Sequence, residues 1–155
     1  MVLARIATGT GQSRPKPSSG TLGHQSVPEE ALAAQRRPPE ATVIFTEDAG
    51  GFYINAHKYD PADKAMFTVR VGSFAHWRIV NRTREVHPFH IHQVHFLTPD
   101  SLWLDTVIVP PGDSLDIVLD ARNPVIHGLS VFHCHMIRHE DKGMMAKVLF
   151  RKSAR

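Results

Sequence analysis

From residue 41 onward the chain falls into short runs rich in β-branched and aromatic residues. These are ATVIFTE (41–47), GFYIN (51–55), MFTVRV (66–71), HWRIVN (76–81), PFHIHQVHFL (88–97), WLDTVIV (103–109), SLDIVLD (114–120), GLSVFHCH (128–135) and MAKVLF (145–150). Turn signals separate them, among them Ala49-Gly50-Gly51, Asp60-Pro61, Pro99-Asp100, Pro110-Pro111-Gly112 and Asn123-Pro124. Within a run, apolar and polar positions alternate. Phe67, Val69 and Val71 share one face, while Thr68 and Arg70 take the other. Many short strands at nearly regular spacing predict an all-β sandwich or barrel.

Before residue 41 the pattern is different. Residues 9–23 are rich in Gly, Ser and Pro and read as a disordered lead. VPEEALAAQRR (27–37) predicts one short helix. Pro28 suits a first turn, Glu29 and Glu30 sit at the positive end, Arg36 and Arg37 sit at the negative end, and Pro38-Pro39 stops it. The division expected is therefore a linker-like lead with a short helix over 1–40 and one β domain over 41–155, which suits a length of 155 residues.

Composition is that of an ordinary globular protein, with 42% hydrophobic and 21% charged residues. The net charge of +3 loses its meaning once divided. Residues 1–40 carry five basic and three acidic side chains, and 41–155 carry thirteen against twelve. The β region is close to neutral, so the sequence gives no sign of a nucleic-acid partner. No apolar run approaches the roughly 18 residues of a membrane helix, so no membrane partner is expected either. The first residues lack the apolar core of an export signal, and Arg36-Arg37 is followed by prolines instead of an apolar stretch. One cysteine excludes an internal disulfide and leaves the compartment open.

The chemistry lies in the histidines. Six of the eleven fall in two clusters, His87-Pro-Phe-His90-Ile-His92 and His133-Cys134-His135 with His139 beyond. Successive strand side chains point to opposite faces. His90 and His92 then share a face and His87 lies toward the other; His133 and His135 share a face and Cys134 points away. If the two strands are neighbours, one side gathers Cys134 with His87 and the other gathers four imidazoles. His139 and Met144, on a loop beyond the strand, can return to the Cys134 side. Two histidines and a cysteine with a long axial methionine is the ligand set of a blue-copper centre. Four imidazoles without a thiolate suit further copper ions. Zinc is the chemical rival, but structural zinc sites draw on more than one cysteine and zinc would not explain the split by parity. Met145 competes with Met144 for the axial role, and the ten-residue offset from Cys134 favours Met144. His95 reads as a structural or surface residue and Asp105 as a structural hydrogen-bonding one.

The segments EVHPFHIHQVHF and FHCHMIRHEDKGMM resemble the C-terminal cupredoxin domain of the multicopper oxidases, the laccase-like enzymes. FTEDAGGFYIN, the run into IVNRTREVHPFH and LDTVIVPPGDS match as well, so that the resemblance covers about residues 27–150. It implies a cupredoxin-like Greek-key β-sandwich. It also implies His87, Cys134, His139 and Met144 as type 1 copper ligands, His90 as the type 2 ligand, and His92, His133 and His135 as type 3 ligands. Electrons from a reducing substrate would arrive at His139 and be relayed by Cys134. Glu140 matches an acidic residue that assists proton delivery in some bacterial relatives.

A complete trinuclear cluster takes eight histidines, four of them from two His-x-His pairs in an N-terminal domain. No such pair occurs here beyond the two described; His24, His57, His76, His95 and His127 are isolated. The expectation is a copper-dependent oxidoreductase domain that pairs a complete type 1 site with half of a dioxygen-reducing cluster and is inactive alone as an oxidase. The missing cupredoxin domain would be supplied in cis or by another subunit. A stand-alone electron-transfer protein is the alternative; it would leave the four imidazoles without a purpose.

Overall fold

Alternating apolar positions commit most of these runs to strands buried on one face, and a computed structural model describes them over residues 26–152. The lead expected over 9–23 lies outside the described residues. Eleven strands follow one short helix, α1 (Glu29–Gln35): β1 (Ala41–Asp48), β2 (Gly51–Ile54), β3 (Phe67–Arg70), β4 (Phe74–Asn81), β5 (His87–Ile91), β6 (Phe96–Leu97), β7 (Trp103–Leu104), β8 (Thr106–Val109), β9 (Ser114–Asp120), β10 (Gly128–Cys134) and β11 (Met145–Arg151). A one-turn helix, α2 (Ile137–Glu140), separates the last two strands.

The strands form two sheets, ordered β2-β1-β4-β9-β6-β7 and β3-β11-β10-β5-β8. Their inner faces meet in one core. Val43, Phe45, Trp77, Ile79, Ile117 and Leu119 come from the first sheet, and Phe89, Ile91, Phe132, Val148 and Phe150 from the second. Phe132 is central: its ring lies edge-on to Trp77 at 5.4 Å and stacks on Phe67 at 5.9 Å. Buried aromatic pairs of this kind add stability beyond the area they remove from water.

Two predicted strands are each divided. The run 88–97 becomes β5 in one sheet and β6 in the other, with Gln93 at φ 73° in the bend between them. The run 103–109 likewise becomes β7 and β8 in opposite sheets, on either side of Asp105. A strand that turns the corner of a sandwich keeps its apolar character while changing sheets, so apolar content alone does not mark the break. Helix α1 forms within its predicted range but starts one residue after Pro28, which occupies the cap position. Its Ala31 and Ala34 pack on the outer face of β4 and β9 against Phe74, Leu97 and Val118. The Arg37 carbonyl accepts from His76 Nδ1 at 2.6 Å.

The pairing that positions the chemistry is antiparallel β10 on β5, where His133 faces His90 and Cys134 faces Phe89. β11 flanks β10 on its other side and sets Met145 opposite His133.

Candidate metal centre

Register and parity divide the predicted ligands as expected from the sequence. Phe89 and Ile91 point inward from β5, so His87 does too; Phe132 points inward from β10, so Cys134 does too. His139 comes from α2, whose single turn follows the end of β10. The three ligand atoms form a tight triangle: His87 Nδ1 to Cys134 Sγ 3.2 Å, Cys134 Sγ to His139 Nδ1 3.6 Å, and His139 Nδ1 to His87 Nδ1 3.2 Å. A point equidistant from three such atoms lies about 2 Å from each, the length of a transition-metal bond to imidazole or thiolate. All three residues are buried.

Met144 is also fully buried, while Met145 is only half-buried. The Met144 carbonyl accepts from the Cys134 N–H at 3.1 Å, and the Met144 N–H donates to the His139 carbonyl at 2.9 Å. Gly143 makes this return possible at φ +94°, a conformation costly for any side chain. A Cβ there would meet Lys58 Cγ at 2.6 Å and Tyr59 N at 3.2 Å. Gly143→Ala should therefore cost roughly 1–3 kcal/mol of stability. A denaturant midpoint equal to that of the parent chain would contradict this.

Burial sets the protonation of the metal-free site. Desolvation, with the neighbouring His139 second, pushes His87 down to about 4, and desolvation pushes the Cys134 thiol up to about 11. His139 is lowered by the same cause. At neutral pH the pocket holds two neutral imidazoles and a thiol, and a metal must displace the thiol proton as it binds. Because the folded value of His87 lies below the ordinary 6.5, its stabilising contribution is complete above pH 6.5 and is lost as pH falls toward 4. For a fully buried imidazole the loss approaches about 3 kcal/mol. Urea midpoints of the metal-free chain from pH 7 to 4 should fall over that interval; a flat profile would refute it.

The opposite face holds four imidazoles. Ring centroids of His90 lie 4.8 Å from His92, 5.3 Å from His133 and 5.1 Å from His135. His92 Nε2 and His133 Nε2 are 3.0 Å apart. His90 Nδ1 is engaged by the Asp105 carbonyl at 2.8 Å and Thr106 Oγ1 at 2.9 Å, which leaves its Nε2 for a ligand. His133 Nδ1 donates to the Cys134 carbonyl at 3.1 Å, with Glu140 Oε2 3.4 Å away. His92 and His135 are exposed, and both lie just beyond the ends of β5 and β10. Their backbones keep the register for one further residue, through His92 N to Val131 O and His135 N to Pro88 O.

Several neighbours escaped the sequence reading. Phe52 stacks on His139 at 3.8 Å, and Glu85 Oε2 lies 3.2 Å from His139 Nε2. Beside Phe52 opens a cleft of about 1020 Å³ whose lining mixes acidic Glu47, Asp48 and Glu140 with basic Lys58 and Arg84. Thr83 and Asn81 stand behind His87. Their signal in the sequence is only a hydroxyl and an amide at four and six residues before a predicted ligand. His95 is exposed and belongs to neither cluster. Asp105 makes hydrogen bonds from its carbonyl and, through its carboxylate, with Thr106.

A two-sheet β-sandwich that closes two histidines and a cysteine inside one edge of its core defines a cupredoxin-type copper domain. Comparison with known proteins agrees. The family model described as multicopper oxidase matches residues 33–154. The chain is 33% identical over 113 residues to a multicopper oxidase of Staphylococcus aureus, covering 64% of this chain and 24% of that protein. It is 29% identical over 119 residues to a laccase of Bacillus subtilis, covering 59% and 22%. Among solved structures, the McoA multicopper oxidase from the hyperthermophile Aquifex aeolicus superposes with a TM-score of 0.65 at 28% identity, over 75% of this chain and 30% of that one. A Campylobacter jejuni multicopper oxidase described as a metallo-oxidase gives 0.66 at 25%, over 76% and 31%. The chain belongs to the multicopper oxidase family, with the cupredoxin fold and copper as the family's cofactor. It spans about a quarter of the length of the curated relatives it matches.

Proposed function

We propose that the chain is the copper domain that carries the complete type 1 site and half of the trinuclear site of a multicopper oxidase. His87, Cys134, His139 and Met144 would hold the type 1 copper. His90 would serve the type 2 ion, and His92, His133 and His135 the type 3 pair. When bound, copper supplies one-electron transfer at the thiolate site and reduction of dioxygen to water at the cluster.

The observation that carries this reading is the placement of Cys134. Its side chain closes the buried triangle, while its two peptide neighbours stand in the imidazole cluster on the other face of the same sheet. A through-bond route a few covalent bonds long thus joins the two ligand sets. The burial of the triangle excludes water and fixes its three atoms before any metal arrives, which keeps reorganisation on electron transfer small. His139 is the ligand nearest the surface region where a reducing substrate would give up electrons, between Phe52 and Glu85. Glu140, with its side chain 34% exposed and its carboxylate beside His133, stands where a proton can pass from solvent toward the imidazole cluster.

Loading the purified chain with copper(II) tests the reading. One tightly bound ion should give the intense visible absorption of thiolate-to-copper charge transfer. A colourless copper form would overturn the type 1 assignment.

A further inference from the structure

The segment between β4 and β5 contains a hydrogen-bond chain that ends on a proposed ligand. Asn81, Thr83 and His87 are all buried, with Asn81 and His87 fully so. The Asn81 amide Nδ2 donates to the Glu85 carbonyl at 2.8 Å and to the Val109 carbonyl at 2.9 Å. Its Oδ1 is therefore the acceptor, and it takes the Thr83 N–H at 2.9 Å. The opposite amide orientation would aim NH2 groups at that N–H.

Thr83 Oγ1 lies 2.7 Å from the same Asn81 Oδ1 and 3.0 Å from the Glu85 carbonyl. Both are oxygens that only accept, so the hydroxyl proton goes to one of them. The lone pairs of Oγ1 then face two donors: the Glu85 N–H at 3.2 Å and His87 Nε2 at 2.7 Å. An oxygen whose proton is already committed forces the imidazole to donate. His87 thus carries its proton on Nε2, and its Nδ1 presents a bare lone pair toward Cys134 Sγ and His139 Nδ1.

We propose that Thr83, itself oriented by Asn81, is a positioning residue that locks His87 in the Nε2–H tautomer and aims Nδ1 at the metal. The proposal rests on His87 being a copper ligand, as argued above. The physical reason is general. A ligating imidazole takes its tautomer and ring orientation from the partner of its other nitrogen, and such partners are worth roughly 10- to 100-fold in metal affinity. The backbone carbonyl of Asp105 and Thr106 Oγ1 do the same for His90, and the Cys134 carbonyl does it for His133. At His87 the partner is a side chain with no backbone carbonyl beside it, so a single substitution can remove it.

Nitrogen-15 NMR of the metal-free full chain should show His87 protonated at Nε2 and bare at Nδ1; protonation at Nδ1 overturns the proposal without any variant having to fold. Thr83→Val, which keeps shape and deletes the hydroxyl, should then lower copper affinity roughly 10- to 100-fold in competition with a chelator. Thr83→Ser should restore it. A merely structural role would lower the melting temperature of the metal-free Val variant while leaving copper affinity and the thiolate-to-copper band unchanged, and that result also overturns the proposal. Failure of the copper reading itself would look different: the parent chain would bind copper without the band, whatever tautomer His87 adopts.

Discussion

Cys134→Ser is expected to remove the thiolate-to-copper absorption completely, in a chain that still folds and still carries both His87 and His139. The absorption requires a thiolate sulfur bonded to copper, and Cys134 is the sole cysteine. Serine differs by one atom and keeps a hydrogen-bonding group between two imidazoles that stand 3.2 and 3.6 Å from the present sulfur. The buried triangle therefore loses its soft, anionic ligand with little loss of packing, and a site of two neutral imidazoles and an alcohol holds copper(II) weakly. Loss of copper from the buried site should appear in the copper count of the purified variant as well as in its colour. His95→Ala serves as the control, because His95 is exposed and outside both ligand groups; its spectrum should equal that of the parent. Colour retained by a folded Cys134→Ser chain would eliminate Cys134 as a ligand and the type 1 site with it.

The division of the proposed ligands between two faces was legible in the sequence because strand parity is a strict rule. His87 and Cys134 turn inward with Phe89 and Phe132, and His90 and His133 turn outward as register partners. The same rule reached His92 and His135 although neither lies within a strand, since one more backbone hydrogen bond at each carries the register past the strand end. The corners at Gln93 and Asp105 were not legible. Apolar residues continue past both, with Phe89 and Ile91 followed by Val94 and Phe96, and Trp103 and Leu104 followed by Val107 and Ile108; each half then pairs in a different sheet. The partners behind the ligands were also hidden. Thr83 and Asn81 become meaningful only when the β4–β5 turn folds back on His87, and Phe52 only when β2 brings its ring over His139. Histidine and cysteine announce metal chemistry by residue type. A threonine or phenylalanine that orients or covers them is ordinary until contacts assign it a role.

The copper-loaded 155-residue chain should show no four-electron reduction of dioxygen, even with the type 1 colour intact and an electron donor in excess. The reason is the composition of the outer face of the β10–β5 sheet. The His90 ring centroid lies 4.8 Å from that of His92, 5.3 Å from His133 and 5.1 Å from His135, and this sequence contains no other His-x-His pair to complete a set of eight. Strand parity puts Ile108 on that face with His90 and puts Leu129 there with His133, and these two side chains are 56% and 60% exposed. Under the proposed reading these two exposed apolar side chains belong to the face that a further cupredoxin domain would cover. Addition of a cupredoxin domain bearing two His-x-His pairs should bury Ile108 and Leu129, raise copper uptake beyond the single thiolate-bound ion, and allow oxygen consumption to begin. Oxygen electrode traces with and without that domain, alongside copper counts, decide the matter. Reduction of dioxygen to water by the chain as a monomer would refute the half-site reading. Full copper uptake only in the mixture, lost again in His133→Ala, would place the missing ligands on the partner.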